Sequence, residues 1–238
     1  MKVFVNARPV GLRVAPGTRV SALYKVSPHA ITLLVLAHGA GAGMKHPFMA
    51  AVADRLAEAG VSTLRFQFPY MEAGSKRPDR PAMAHATIRA AVRKAATLAP
   101  GLPLFAGGKS FGGRMTSQAQ ALEPLPNVRG LVFLGFPLHP PEKPSVDRAA
   151  HLSNTLVPLL FIQGTRDRLA RPALLQKVMK SLGKRATFRP VKHADHSFGV
   201  LVRSGRSPEE VLCEIAEVAG GWMRLGESVK PPARGTSP

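Results

Sequence analysis

The chain has 238 residues, 45% of them hydrophobic, which suits one domain with a sizeable core. Its net charge of +19 would draw polyanions, yet the basic residues are spread without a dense run and aromatics make up only 6%, which argues against a specific nucleic-acid binder. No apolar run approaches the roughly 18 residues of a membrane span, so no membrane insertion is expected, and the single Cys213 excludes an internal disulfide and fits a reducing cytoplasm.

The opening MKVFVNARPVGLRV has no long apolar core behind its positive residues and does not read as a secretory leader. A modest strand is predicted over 19–25 and a buried one over 32–37 (TLLVLA). Residues 46–59 carry apolar positions at helical spacing, with Gly60 after them as a stop. A strand over 61–66 leads into a Pro-, Gly- and charge-rich loop over 67–80, then an Ala-rich helix over 81–98. A short strand over 103–106 precedes a glycine-rich turn and a helix to about residue 122. Strands follow over 128–134 and 158–162, a helix over 171–182, a strand over 186–191 and a closing helix over 208–225. This alternation predicts a mostly parallel twisted sheet with helices on both faces. One domain over 1–226 and a disordered tail over 227–238 are expected, and no oligomeric state is assigned. Cys213 lies in the apolar helical stretch VLCEIAEVAG and reads as core packing.

The turn in LFAGGKSFGGRM admits two parsings. A phosphate-cradling P-loop needs a glycine five positions before the Gly of its GK[ST], and Pro103 stands there, without an N–H to offer. Read instead as G-x-S-x-G, Gly108 to Gly112 form a nucleophile elbow, with a strand before it, a helix after it and small residues around Ser110. An acid and a histidine should then follow later strands in that order. Asp167 comes just after the strand PLLFIQ, and KHADHSF after the next strand offers His193 and His196. His196 is preferred because it lies farther beyond the strand and can fold back over Ser110. Asp195, its sequence neighbour, is a poor orienter, since adjacent side chains diverge.

The strand TLLVLA ends in HGAGAG, where small residues let a substrate approach backbone N–H groups. The N–H groups of Ala40 and Phe111 are the expected oxyanion donors. A dinucleotide fingerprint, which would make Arg65 a phosphate contact, fails because Met44 occupies the place of its third glycine. His38 reads as structural. The segment over 135–157 is proline-broken and too short for a full lid. Lys109, Arg114, Arg65, Lys45 and His139 are expected near an open mouth, favouring an anionic substrate.

The segments LAHGAGAGMKHPFM, LRFQFPYME, AGGKSFGGRM, FLGFPLHPP, QGTRD and DHSF resemble those of the α/β-hydrolase superfamily, specifically its small lid-poor, dienelactone-hydrolase-like branch. The similarity spans roughly residues 30 to 200. It implies an α/β-hydrolase fold with Ser110 as nucleophile, Asp167 as acid and His196 as base, acting on a small-molecule ester or thioester. Neither metal nor organic cofactor is implied. The better-known dienelactone hydrolases carry a cysteine nucleophile where this chain has Ser110, so ring-lactone opening is not inherited. The rival expectation is a catalytically idle hydrolase fold that binds acidic partners through its basic surface.

Overall fold

Strands buried on both faces should be apolar throughout, and their side chains should alternate between two cores. The computed structural model, which describes residues 6–226, has this arrangement. Within the strand Thr32–Ala37, Leu33, Val35 and Ala37 enter one apolar cluster, while Leu34 and Leu36 enter the other. Among the described residues the strands are β1 Arg8–Ala15, β2 Thr18–Lys25, β3 Thr32–Ala37, β4 Val61–Phe66, β5 Leu104–Lys109, β6 Val128–Leu134, β7 Leu159–Gly164 and β8 Ala186–Val191. They form one sheet in the order β1-β2-β4-β3-β5-β6-β7-β8. β1 and β2 pair antiparallel, as do β2 and β4, and every other pairing is parallel.

The helices are α1 Pro47–Glu58, α2 Pro69–Glu72, α3 Pro81–Leu98, α4 Phe111–Leu122, α5 Pro172–Leu182 and α6 Pro208–Gly226. On one face α1 and α6 pack Met49, Val52, Leu56, Ile215 and Met223 against β3, β6 and β7. On the other, α3, α4 and α5 bring Ile88, Met115 and Val178 to the sheet. Burying a side chain of this size stabilises the fold by about 1.5–3 kcal/mol, so both layers contribute. Among the described residues five of the six α-helices begin with proline in the first turn, where its missing N–H costs nothing. α6 is also capped by a reciprocal pair, Glu210 N–H to Ser207 Oγ at 3.1 Å and Ser207 N–H to Glu210 Oε2 at 2.6 Å.

The structure adds β1, which the sequence reading leaves out. β1 is an edge strand holding Pro9 and two arginines, so its alternation is blurred, and only Leu12 and Val14 are buried. The short α2 inside the loop over 67–80 is also additional. β5 extends to Lys109, three residues past its expected end, so the elbow glycines lie partly within the strand. Cys213 departs from its expected place in the core: it is half-exposed on α6, with Sγ 3.8 Å from Glu209 Oε1. The expected tail over 227–238 lies outside the described residues. Among the described residues no helix is long and apolar enough to cross a membrane.

After β6 the chain does not form a cap domain over the sheet. Phe136, Leu138 and His139 turn inward and are fully buried, and a 3₁₀ helix over Asp147–Asn154 packs Ala149 and Leu152 beside α4. The carboxyl ends of β5, β7 and β8 are therefore left uncovered by a lid, the edge at which parallel α/β sheets place their ligands.

Candidate active site

Ser110 connects β5 to α4 in a conformation few residues other than glycine adopt, φ 50° and ψ −113°. The turn is sharp because α4 must pack back across β3. A Cβ on Gly108 would stand 2.3 Å from the Ala37 carbonyl oxygen, and one on Gly112 would stand 2.5 Å from that of His38. Any larger residue at either position forces the elbow apart. The strain is fixed in place by the Ser110 N–H, which donates to the Leu134 carbonyl at 3.1 Å, and it raises the hydroxyl above the sheet.

Asp167 and His196 arrive from the ends of β7 and β8. His196 Nε2 lies 2.8 Å from Ser110 Oγ, and His196 Nδ1 lies 2.7 Å from Asp167 Oδ2. Asp167 is buried and fully engaged: Oδ2 also accepts from Gln163 Nε2 at 2.5 Å, and Oδ1 accepts from the Leu169 N–H at 2.7 Å. With Nδ1 donating to the carboxylate, Nε2 is left to accept from the serine hydroxyl, the tautomer that proton abstraction requires. His193 lies elsewhere, exposed, with its backbone N–H on Thr165 Oγ1. Asp195 shapes the loop that carries the histidine, its Oδ1 accepting the Ser197 and Gly199 N–H groups at 2.8 and 2.9 Å. A second serine–histidine contact, Ser117 Oγ to His151 Nε2 at 2.7 Å, is no rival nucleophile, because Ser117 is fully buried within α4.

Across from the histidine, the Ala40 and Phe111 N–H groups have no hydrogen-bond acceptor among the described residues, and both residues border a cavity that Ser110 lines. The loop bearing Ala40 is pinned from four sides. Met44 N–H donates to Gln67 Oε1 at 2.8 Å, Arg65 Nη1 donates to the Met44 carbonyl at 3.0 Å, and Gly41 N–H reaches the Tyr70 hydroxyl at 3.3 Å. His38 completes the set, its Nδ1 on the Gly39 carbonyl at 2.8 Å and its Nε2 accepting from the Phe68 N–H at 3.1 Å.

Burial depresses the pKa of His38 from 6.5 to about 4, against the opposing effect of its Gly39 contact. His151 is likewise lowered to about 4 by burial and by the Arg114 charge. The unfolded chain takes up these protons first as the pH falls, so the stability they contribute is complete above pH 6.5 and is lost progressively towards pH 4. For the fully buried His38 alone the loss is on the order of 3 kcal/mol. Urea unfolding across that range should show a slope one proton shallower in His38→Gln, whose amide can make both hydrogen bonds. An unchanged slope would remove His38 from this account.

The basic residues expected at the mouth divide. Arg114 lines a cavity bordering Ser110, and Lys109 lines another. The Lys109 ammonium is directed to the His196 carbonyl at 2.7 Å, and burial lowers its pKa to about 8 against the pull of Asp167 and Asp195. It anchors the histidine loop. Arg65 is corrected: it is buried under the Ala40 loop and holds the Met44 carbonyl instead of facing substrate. His139 is corrected too. It is fully buried, Nδ1 on the Pro140 carbonyl and Nε2 accepting from the Arg171 N–H, so neither ring nitrogen is free for a ligand. Lys45 borders a separate groove beside β1 and β2. Gln163 and Arg148 also border these groups without any mark in the sequence. A buried glutamine at a strand end carries no signal of its own, and Arg148 sits in a segment without periodicity. Among the described residues no cluster of His, Cys, Asp and Glu could hold a metal ion.

Residues 30–224 match the family model of the α/β-hydrolase domain. The chain belongs to the α/β-hydrolase family. It is a hydrolase by that membership, and solved structures share its fold. A dienelactone hydrolase from Anabaena variabilis superposes with a TM-score of 0.70 at 21% identity, covering 92% of this chain and 97% of its own. The esterase domain of a Rhodothermus marinus protein gives 0.68 at 17%, covering 93% and 99%. A lid-less α/β serine hydrolase from Xanthomonas campestris gives 0.67 at 17%, covering 96% and 99%. At these identities the likeness concerns the fold, in keeping with the uncapped sheet edge of this α/β-hydrolase.

Proposed function

We propose that this α/β-hydrolase cleaves a carboxylic ester or thioester through an acyl-enzyme on Ser110. The observation that carries the reading is the hydrogen-bonded line from Ser110 through His196 to Asp167, set beside two backbone N–H groups without acceptors. His196 Nε2 takes the hydroxyl proton while Oγ forms a bond to the acyl carbon. The tetrahedral oxyanion is held by the Ala40 and Phe111 amides, the latter at the positive end of α4. As the intermediate collapses, the bond to the leaving oxygen or sulfur breaks and that atom receives the proton from His196. Water then enters on the same side and bonds to the acyl carbon as His196 takes its proton; the bond to Ser110 Oγ breaks, Oγ receives the proton from His196, and the carboxylic acid is released. Asp167 stays ionised throughout and stabilises the imidazolium. Every proton is returned, so the cycle calls for no cofactor. The lone Cys213 fits operation in a reducing cytoplasm.

A fluorophosphonate probe tests this directly. The parent should be labelled on Ser110, and Ser110→Ala should take up no label. Absence of labelling in the folded parent, or labelling of another residue, would refute the assignment.

A further inference from the structure

Ser110 stands between two cavities, and they differ in chemistry. One, of about 340 Å³, is bordered by His196, Ser197, Phe48 and Met49 as well as Ser110. The other, of about 390 Å³, is bordered by Ser110, Phe111, Arg114, Met115 and Arg148 on the side of α4 and the 3₁₀ segment. His196 lines the first cavity and not the second. A general acid must reach the departing atom, so the leaving group occupies the His196 side and the acyl chain extends into the arginine side.

Among the described residues both arginines in that second cavity lack an acidic partner, although the Arg114 guanidinium lies 5.9 Å from the Phe111 ring centroid. Among the described residues neither Arg114 nor Arg148 forms an ion pair, and the buried Arg114 Nε has no hydrogen-bond acceptor. Burial lowers the Arg114 pKa, and the neighbouring Arg148 charge adds to the effect. Asp79 borders the same cavity, but its Oδ2 accepts from the Tyr70 N–H at 3.2 Å and it pairs with neither arginine. A half-buried guanidinium whose Nε is buried without an acceptor, beside a second guanidinium, is costly unless an anion arrives to share both, and planar guanidinium groups suit a carboxylate.

Resting on the acyl-enzyme reading above, we propose that Arg114 and Arg148 form a subsite for a carboxylate at the far end of the acyl chain. The substrates are then monoesters or monothioesters of dicarboxylic acids. The negative charge belongs to the part of the substrate retained on Ser110, and the leaving group is uncharged or indifferent to charge. Hydrolysis proceeds as for any acyl group, and the product is the dicarboxylate.

The test compares 4-nitrophenyl monoesters of succinic, glutaric and adipic acids with the butyrate, valerate and hexanoate esters of equal length, spontaneous hydrolysis subtracted. The best carboxyacyl ester should exceed its uncharged counterpart in kcat/KM by on the order of 10–100-fold, the range expected for a charge-assisted hydrogen-bonded pair. Arg148→Met should remove that advantage and leave the uncharged ester within about two-fold, since Arg148 sits half-exposed on the 3₁₀ segment and makes no hydrogen bond to another described residue. Arg114→Met should act in the same direction, and Arg148→Met keeps the test decisive if loss of the contact over Phe111 unfolds α4. Equal rates for charged and uncharged acyl chains, or an arginine variant that slows both alike, would overturn the subsite while the hydrolase reading stands. An Arg148-dependent gain for the acetate ester of a carboxylated nitrophenol would put the anion on the leaving-group side and overturn the acyl assignment. Failure of the parent to turn over any of these esters would overturn the acyl-enzyme reading and the subsite together.

Discussion

Ser110→Ala, His196→Ala and the double variant are each expected to lower kcat on any cleaved ester to the same floor, a loss on the order of 10⁴–10⁶-fold, because groups acting in one proton transfer are not additive. The geometry makes the coupling explicit. Among the described residues His196 Nε2 accepts from no donor but the Ser110 hydroxyl, at 2.8 Å, and Ser110 Oγ touches no other base. Once either is gone, what remains is binding and the Ala40 and Phe111 amides, which all three variants retain. Fold should be unaffected in Ser110→Ala, since its main-chain bond to Leu134 stays and alanine tolerates the positive φ about as poorly as serine does. A double variant slower than the parent by the product of the two single effects would mean that the two residues act in separate steps.

Fold and site were legible to different depths. Boundaries of β3, β4, α3, β6 and β8 could be read closely because prolines, glycines and continuous apolar runs mark them, and such signals are local. β1 was not legible, since an edge strand pairs on one side only, its exposed face carries Pro9 and Arg13, and Arg8 interrupts the apolar face of Leu12. Among polar residues, spacing after each strand was enough to expect Ser110, His196 and Asp167 to touch in line, as they do at 2.8 and 2.7 Å, because chain order and strand ends together dictate where such side chains meet. Charge was the misleading signal. Arg65 and His139 carry the residue types of a ligand contact, but their burial depends on how the Ala40 loop and the chain after β6 fold inward, which no short pattern encodes. Arg148 was invisible for the converse reason. It becomes part of a cavity only because the 3₁₀ segment packs on α4, a contact between residues far apart in sequence.

Asp167→Asn is expected to reduce kcat on the order of 10³–10⁴-fold while the chain still folds, and the reason lies in the three hydrogen bonds around the carboxylate. Asp167 acts only as an acceptor, taking the Leu169 N–H, the Gln163 amide and His196 Nδ1–H. Asparagine has one acceptor. If its oxygen stays on Leu169, its NH₂ meets the Gln163 NH₂, which cannot turn away because Gln163 Oε1 accepts from the Phe136 N–H at 2.8 Å. The same NH₂ then donates to His196 Nδ1 and drives the ring proton onto Nε2, where it faces Ser110 as a donor and no longer abstracts. If the amide turns the other way, the histidine keeps its tautomer, but the half-buried Leu169 N–H loses its acceptor at a cost of about 1 kcal/mol, and the imidazolium loses its counter-charge. Both routes slow acylation, and slowed fluorophosphonate labelling reads this out without a chosen substrate. Asp195→Asn is the control: its single oxygen can keep both the Ser197 and Gly199 N–H groups, so activity should stay within a few-fold of the parent. Equal losses in the two variants would mean that Asp167 owes its effect to loop structure, and its place behind His196 would have to be given up.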